Sequence, residues 1–109
     1  ALLSDHRGDE ASLKRAAELA NVLEKTNQPA FVDTAGWVYY RNGDYARAVE
    51  LLQQVVDKMP DVAIFNYHLG MALAKQGDKE TARKYLEKAV NSDQDFTGKD
   101  EARDTLESL

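Results

Sequence analysis

The sequence contains no cysteine, two prolines, a single tryptophan and no long apolar run. Without cysteine, disulfides, thiolate zinc sites and cysteine nucleophiles are excluded. Two prolines leave few interruptions, and a composition rich in Ala, Leu, Glu and Lys favours helix. No apolar stretch approaches the roughly 18 residues of a membrane-spanning helix. The sequence therefore predicts one helical domain that does not insert directly into a membrane.

An excess of basic charge is also missing. The chain has 14 basic and 19 acidic residues, a formal net charge of −5 and a pI of about 5.0. A nucleic-acid interface needs a basic patch to neutralise phosphates. We therefore predict no nucleic-acid partner.

The residues that usually carry catalysis are sparse. The two histidines, His6 and His68, lie far apart in the sequence and have no metal-ligand spacing. No glycine-rich phosphate loop is present. We predict that the chain is not an enzyme and has no catalytic residue, cofactor or metal site.

One acidic segment resembles part of a calcium-binding loop. Asp93, Asp95 and Gly98 fit the start of an EF-hand loop, but Asp104 stands where a bidentate glutamate is required. The alternative is a loop followed by an acidic first turn of a helix, which the helix dipole favours. We predict the second arrangement.

The stretch DTAGWVYYRNGDYARAV, residues 33–49, is ambiguous when considered alone. An Asn-Gly between aromatic and β-branched residues is typical of a β-hairpin. The same residues are also compatible with two helices that meet at a glycine.

An internal repeat decides between the two structures. When the sequence is shifted by 34 residues, residues 29–62 align with 63–96, and the second copy contains no hairpin signal. Eight pairs are identical: Phe31/Phe65, Gly36/Gly70, Gly43/Gly77, Asp44/Asp78, Ala48/Ala82, Leu52/Leu86, Val56/Val90 and Asp61/Asp95. Both copies should share a fold, so the helical structure is predicted for both.

Each Gly-Asp dipeptide is typical of a short turn between two helices, which we call a Gly-Asp joint. Gly43 and Gly77 suit the left-handed residue that ends a helix. Asp44 and Asp78 suit the N-cap of the next helix, where a carboxylate accepts backbone N–H groups. Pro60 is expected to stop the first repeat.

The period and its residues resemble the tetratricopeptide repeat, a 34-residue helix pair. The family's Leu-Gly is present at Leu69-Gly70 and is degraded to Ala-Gly in the first copy. Its other positions are filled by Tyr39, Ala48, Ala82, Leu52, Leu86 and Pro60. The family's early tryptophan is missing, with Val32 and Asn66 in its place. The resemblance covers residues 29–96.

The resemblance implies an all-α, right-handed superhelix of antiparallel helix pairs with a C-terminal capping helix. We expect a truncated repeat at 1–28, repeats at 29–62 and 63–96, and the capping helix at 97–109, all in one domain. The first segment would contain the end of one helix and a partner helix over EASLKRAAELANVLEKT. Because the chain begins without methionine, it is expected to be part of a longer protein.

The first helix of each pair is expected to line the inner face of the curve, where a partner protein or peptide could bind. Helical spacing places eight side chains there: Asp33, Trp37, Tyr40, Arg41, Ile64, Tyr67, Met71 and Lys75. Tryptophan, tyrosine, methionine and arginine are typical binding anchors. The alternatives are that Trp37 and Met71 pack between neighbouring helices, or that upstream repeats cover part of the face.

One subtype of the family is disfavoured. Tetratricopeptide domains that clamp the C-terminal carboxylate of heat-shock chaperones use paired lysines and asparagines on the inner face. Asp33, Trp37, Tyr67 and Met71 occupy those places here. A carboxylate clamp is therefore not expected.

Two segments, FVDTAGWVYYRNGD and FTGKDEAR, are similar to the C-terminal part of bacterial multi-repeat proteins associated with PEP-CTERM sorting and exopolysaccharide export. That resemblance implies an interaction scaffold in the periplasm or cell envelope, with the cytoplasm as the alternative location. The alternative function is a regulatory or substrate-positioning tail of a larger enzyme, such as a glycosyltransferase. Self-association is a further hypothesis, through Leu2, Leu3 and Leu13 at the N-terminal edge.

Overall fold

The computed structural model describes residues 28–109 and, before them, Arg15, Glu18, Leu19, Asn21, Val22 and Lys25. The continuous part forms five helices: α1 (Pro29–Arg41), α2 (Tyr45–Lys58), α3 (Ala63–Gln76), α4 (Lys79–Val90) and α5 (Lys99–Ser108). No strand occurs among the described residues. Consecutive helices pack against each other, so the predicted all-α solenoid of antiparallel helix pairs is confirmed.

Both Gly-Asp joints have the predicted local structure. Gly43 and Gly77 adopt left-handed backbone angles, with φ of +86° and +92°. The Asp44 carboxylate accepts the Arg47 backbone N–H at 3.2 Å, and Asp78 caps α4 in the same way. The Asn-Gly dipeptide therefore ends a helix and does not form a hairpin.

The core lies between the helices, and small and large residues recur in it at equivalent positions of the two repeats. Ala48 and Ala82 are fully buried, as are Leu52 and Leu86 at the positions four residues later. Small residues let the paired helices approach closely, and the leucines fill the space between them. The same packing unit thus occurs twice, 34 residues apart.

The C-terminal helix α5 packs on α4 and α3, with Ala102 fully buried. Lys99 joins the first turn of α5 to the preceding loop, because the Lys99 ammonium donates hydrogen bonds to the backbone carbonyls of Ser92 and Gln94 at 3.0 and 3.2 Å. The side chain of α5 that follows Tyr67 by one repeat length is Glu101. Helix α5 contacts α3 as α3 contacts α1.

The predicted N-terminal helix falls largely outside the described residues. Arg15, Glu18, Leu19, Asn21 and Val22 are helical, whereas the residues of the self-association hypothesis, Leu2, Leu3 and Leu13, lie outside the described residues. Within the described ranges, no helix has the length and apolar character to cross a membrane.

Candidate protein-binding groove

Helices α1, α3 and α5 present corresponding positions on one face, which we call the groove. Each position recurs every 34 residues: Asp33, Tyr67 and Glu101 in one row, and Trp37, Met71 and Thr105 in the next. Because α1, α3 and α5 follow one another in the stack, these rows run across the repeats. The groove is thus a regular surface of the solenoid.

Trp37 lies at the centre of an aromatic stack in this groove. Its ring is parallel to that of Tyr40, with ring centroids 4.3 Å apart. It also stacks on the ring of His68, a residue of α3, with centroids 4.0 Å apart. The Tyr67 ring is tilted against Trp37 at 5.5 Å. Contacts from both helix pairs hold the indole, which remains half-buried and accessible from the groove.

A buried pair beneath the stack fixes the position of the His68 ring. The Nδ1 atom of His68 lies 2.8 and 2.9 Å from the two carboxylate oxygens of Asp33. Both side chains are only 9% exposed. A carboxylate buried to this degree needs such a partner. The pair joins α1 to α3 and orients the imidazole against which Trp37 stacks.

Two of the eight predicted groove residues are covered by α5. Tyr67 and Met71 are 3% and 5% exposed, and they pack in one cluster with Ala102. The Phe96 ring contacts Tyr67, with ring centroids 5.3 Å apart. Tyr67 and Met71 therefore form the floor of the groove and offer a partner little surface.

The groove contains two clefts of about 350 Å³ each. The first is lined by Tyr40, Met71, Ala74, Lys75, Glu101, Thr105, Ser108 and Leu109. The second is lined by Trp37, Arg41, Ile64, Tyr67, His68, Thr97, Gly98 and Glu101. Of the eight predicted residues, three line the first cleft and four the second, while Asp33 lies behind them against His68. Their role in binding stays a prediction.

Sequence reasoning missed Glu101, Thr105 and Ser108, which also line the clefts. We predicted a capping helix at 97–109 and assigned no groove residue to it. The repeat could have predicted their position, because continuing the 34-residue shift beyond residue 96 aligns Glu101, Thr105 and Ser108 with Tyr67, Met71 and Ala74. Helix α5 therefore supplies one wall of the groove as well as a cap.

The two groove tyrosines are uncharged near neutral pH. Burial first, and then the Glu101 carboxylate, raise the pKa of Tyr67 to about 12. The same two causes, in the same order, raise the pKa of Tyr40. Both phenols thus keep their protons, and the hydroxyl of the half-buried Tyr40 can donate a hydrogen bond to a ligand.

The groove contains no metal-binding arrangement within the described part of the chain. Among residues 28–109 and the described positions before them, no three His, Asp or Glu side chains converge on one point. In the acidic segment that resembles a calcium loop, the Lys99 ammonium already bonds to backbone carbonyls. The groove offers aromatic surface, phenol hydroxyls and a few charges, which suits recognition of a polypeptide.

Comparisons with known proteins agree with the helix-pair architecture. The chain is similar to a TPR repeat-containing protein of Pseudomonas aeruginosa, with 39% identity over 67 residues. The match includes 62% of this chain and 27% of that protein, so the chain spans about a quarter of the relative's length. A family model of the tetratricopeptide repeat matches residues 34–96, which is more than half of the chain. This chain belongs to the tetratricopeptide repeat family, whose members generally mediate protein–protein interactions as non-catalytic scaffolds.

Proposed function

We propose that this chain binds a segment of a partner protein, a peptide or a helix, along the groove between α1, α3 and α5. The observation that carries the proposal is the stack of Trp37 on Tyr40 and His68, which keeps large aromatic rings half-exposed on a rigid surface. Side chains that are held in place before binding lose little entropy when a partner arrives. The groove is thus suited to accept a segment without rearranging.

Charges at the end of the groove would orient the bound segment. Arg41 and Lys75 occupy equivalent positions near the ends of α1 and α3, and both are exposed. Neither makes an ion pair with any residue that the structure describes. Charges of this kind mainly determine register and association rate, while the aromatic rings supply most of the affinity.

Replacing both Trp37 and Tyr40 with alanine is expected to reduce partner binding at least a hundredfold, about 3 kcal/mol, because two central aromatic anchors are lost. The measurement is a pull-down with the intact protein, followed by titration of the captured partner. Far-UV circular dichroism of the variant should still show a helical protein, since neither residue belongs to the fully buried core.

Phe31→Ala is the matched control for this double variant. Phe31 is an aromatic residue of the same helix, is 44% exposed and lines neither cleft. The control should bind like the wild type. Unchanged partner binding by the folded Trp37 and Tyr40 double variant would eliminate the groove as the binding site.

The setting of this interaction is a second part of the proposal. The similarity of FVDTAGWVYYRNGD and FTGKDEAR to export-associated repeat proteins supports a scaffold in a bacterial envelope assembly. The alternative is a tail that regulates a larger enzyme or positions its substrate. The upstream sequence of the full-length protein discriminates the two, because further repeats with a lipoprotein signal favour the scaffold and a catalytic domain favours the tail.

Self-association is a separate candidate, and the exposure of one phenylalanine on α1 supports it. Phe65 packs into the core and is 9% exposed, whereas the equivalent Phe31 is 44% exposed. A second copy could cover this apolar side chain. Sedimentation at increasing concentration should show a dimer that Phe31→Ser weakens, and a wild-type monomer at the highest concentration would refute it.

A further inference from the structure

Glu101 is the acidic side chain at the centre of the groove. It belongs to the first turn of α5, is exposed and lines both clefts. No cation among the described residues forms an ion pair with it, including Arg41, which lines one of the same clefts. The carboxylate is thus available to a ligand.

On the side that faces α1 and α3, Glu101 shares its clefts with aromatic rings and with one lysine or arginine in each, Arg41 in one cleft and Lys75 in the other. Trp37 and Tyr67 line one cleft beside it, and Tyr40 lines the other. The Glu101 carboxylate lines one cleft together with Tyr40 and the other together with Tyr67. Aromatic faces and a carboxylate together attract a cation, and they disfavour an anion at the same point.

We propose that the segment bound in the groove presents a lysine or arginine side chain to Glu101, with the aliphatic stem against Trp37. This inference rests on the proposed groove function and names the chemistry of the partner. Long basic side chains cover apolar surface with their stems while the charged end remains at a polar group. The net charge of −5 also favours the approach of a basic segment.

A random-peptide library displayed on phage tests the proposal directly. The full chain is immobilised, and the retained peptides are sequenced for wild type, for Glu101→Gln and for Asp100→Asn. Asp100→Asn is the matched control, because it removes the same charge from the same turn of α5 but lines neither cleft. We expect enrichment of lysine and arginine for wild type and Asp100→Asn, and its loss for Glu101→Gln.

A synthetic peptide from the wild-type selection then gives the magnitude. Trp37 is the only tryptophan, so its fluorescence reports binding in the groove. Glu101→Gln should weaken binding about tenfold, and replacing the peptide's basic residue with alanine should do the same. The two changes together should cost little more than either alone, because they remove one contact. Affinity should also fall with added salt in wild type more than in Glu101→Gln.

The outcomes separate this inference from the proposed function. Peptides that require Trp37 and Tyr40 but show no basic enrichment would overturn the role of Glu101 and leave the groove function intact. Basic enrichment that persists in Glu101→Gln would also overturn it. If no peptide is retained better by wild type than by the Trp37 and Tyr40 double variant, both proposals fail.

Discussion

His68→Ala is expected to lower the free energy of unfolding by about 3 kcal/mol, a large part of the stability of a small domain. The substitution leaves the Asp33 carboxylate, 9% exposed, without the imidazole that lies 2.8 Å away. It also removes the ring on which Trp37 stacks at 4.0 Å. Chemical denaturation followed by far-UV circular dichroism measures the loss.

Substitution of the other partner, Asp33→Ala, should lower the free energy of unfolding less than His68→Ala does. Asp33→Ala leaves a histidine that keeps its stacking on Trp37, whereas His68→Ala leaves a buried carboxylate without its hydrogen-bond partner. The double variant should lose less than the sum of the two single losses, with a coupling of about 1–3 kcal/mol. Additive losses would show that Asp33 and His68 do not stabilise each other.

His68→Asn separates the hydrogen bond from the stacking. The asparagine amide nitrogen occupies nearly the place of Nδ1, so it can still donate to Asp33, but the ring is lost. We expect stability between those of wild type and His68→Ala. Trp37 fluorescence should change in both variants, because both remove the aromatic contact with the indole. If His68→Asn is as unstable as His68→Ala, the stacking supplies most of the stabilisation.

The helix pairs could be predicted from the sequence because the information is local and occurs twice. Gly43 and Gly77 require a backbone that few other residues adopt, and the aspartates after them cap the next helix. The ambiguous Asn-Gly was resolved only by its counterpart Gln76-Gly77, where no hairpin signal exists. A repeat thus adds a second independent observation to each local pattern.

The groove could be predicted only in part, because its depth depends on tertiary contacts. Periodicity gives the direction in which Tyr67 and Met71 point, but their burial depends on α5, whose docking no local pattern specifies. The pairing of Asp33 with His68 joins two helices and has no counterpart in the first repeat, where Thr34 takes the place of the histidine. A contact that occurs only once in the chain cannot be predicted from a sequence repeat.

Leu52→Ala and Gly36→Ala should each destabilise the protein and yet compensate each other in part. Leu52 is fully buried, so its truncation leaves a cavity and should cost about 3 kcal/mol. A Cβ on Gly36 would lie 2.7 Å from Leu52 Cγ and 2.8 Å from its Cδ2, which is closer than such atoms approach. Gly36→Ala alone should therefore cost about 1–2 kcal/mol, because overpacking exceeds the gain in helix propensity.

In the Leu52→Ala background the sign of the glycine substitution should reverse. The added methyl group then enters the vacated space and the helix gains alanine, so the double variant should be more stable than Leu52→Ala alone. The second repeat is the matched comparison, because a Cβ on Gly70 meets Leu86 Cγ at 2.7 Å and also the Leu86 backbone nitrogen at 3.2 Å. Truncating Leu86 cannot move that nitrogen, so rescue of Gly70→Ala should be weaker. Chemical denaturation of both sets of variants measures this difference, and equal rescue at both sites would show that the helices can separate enough to admit a methyl group.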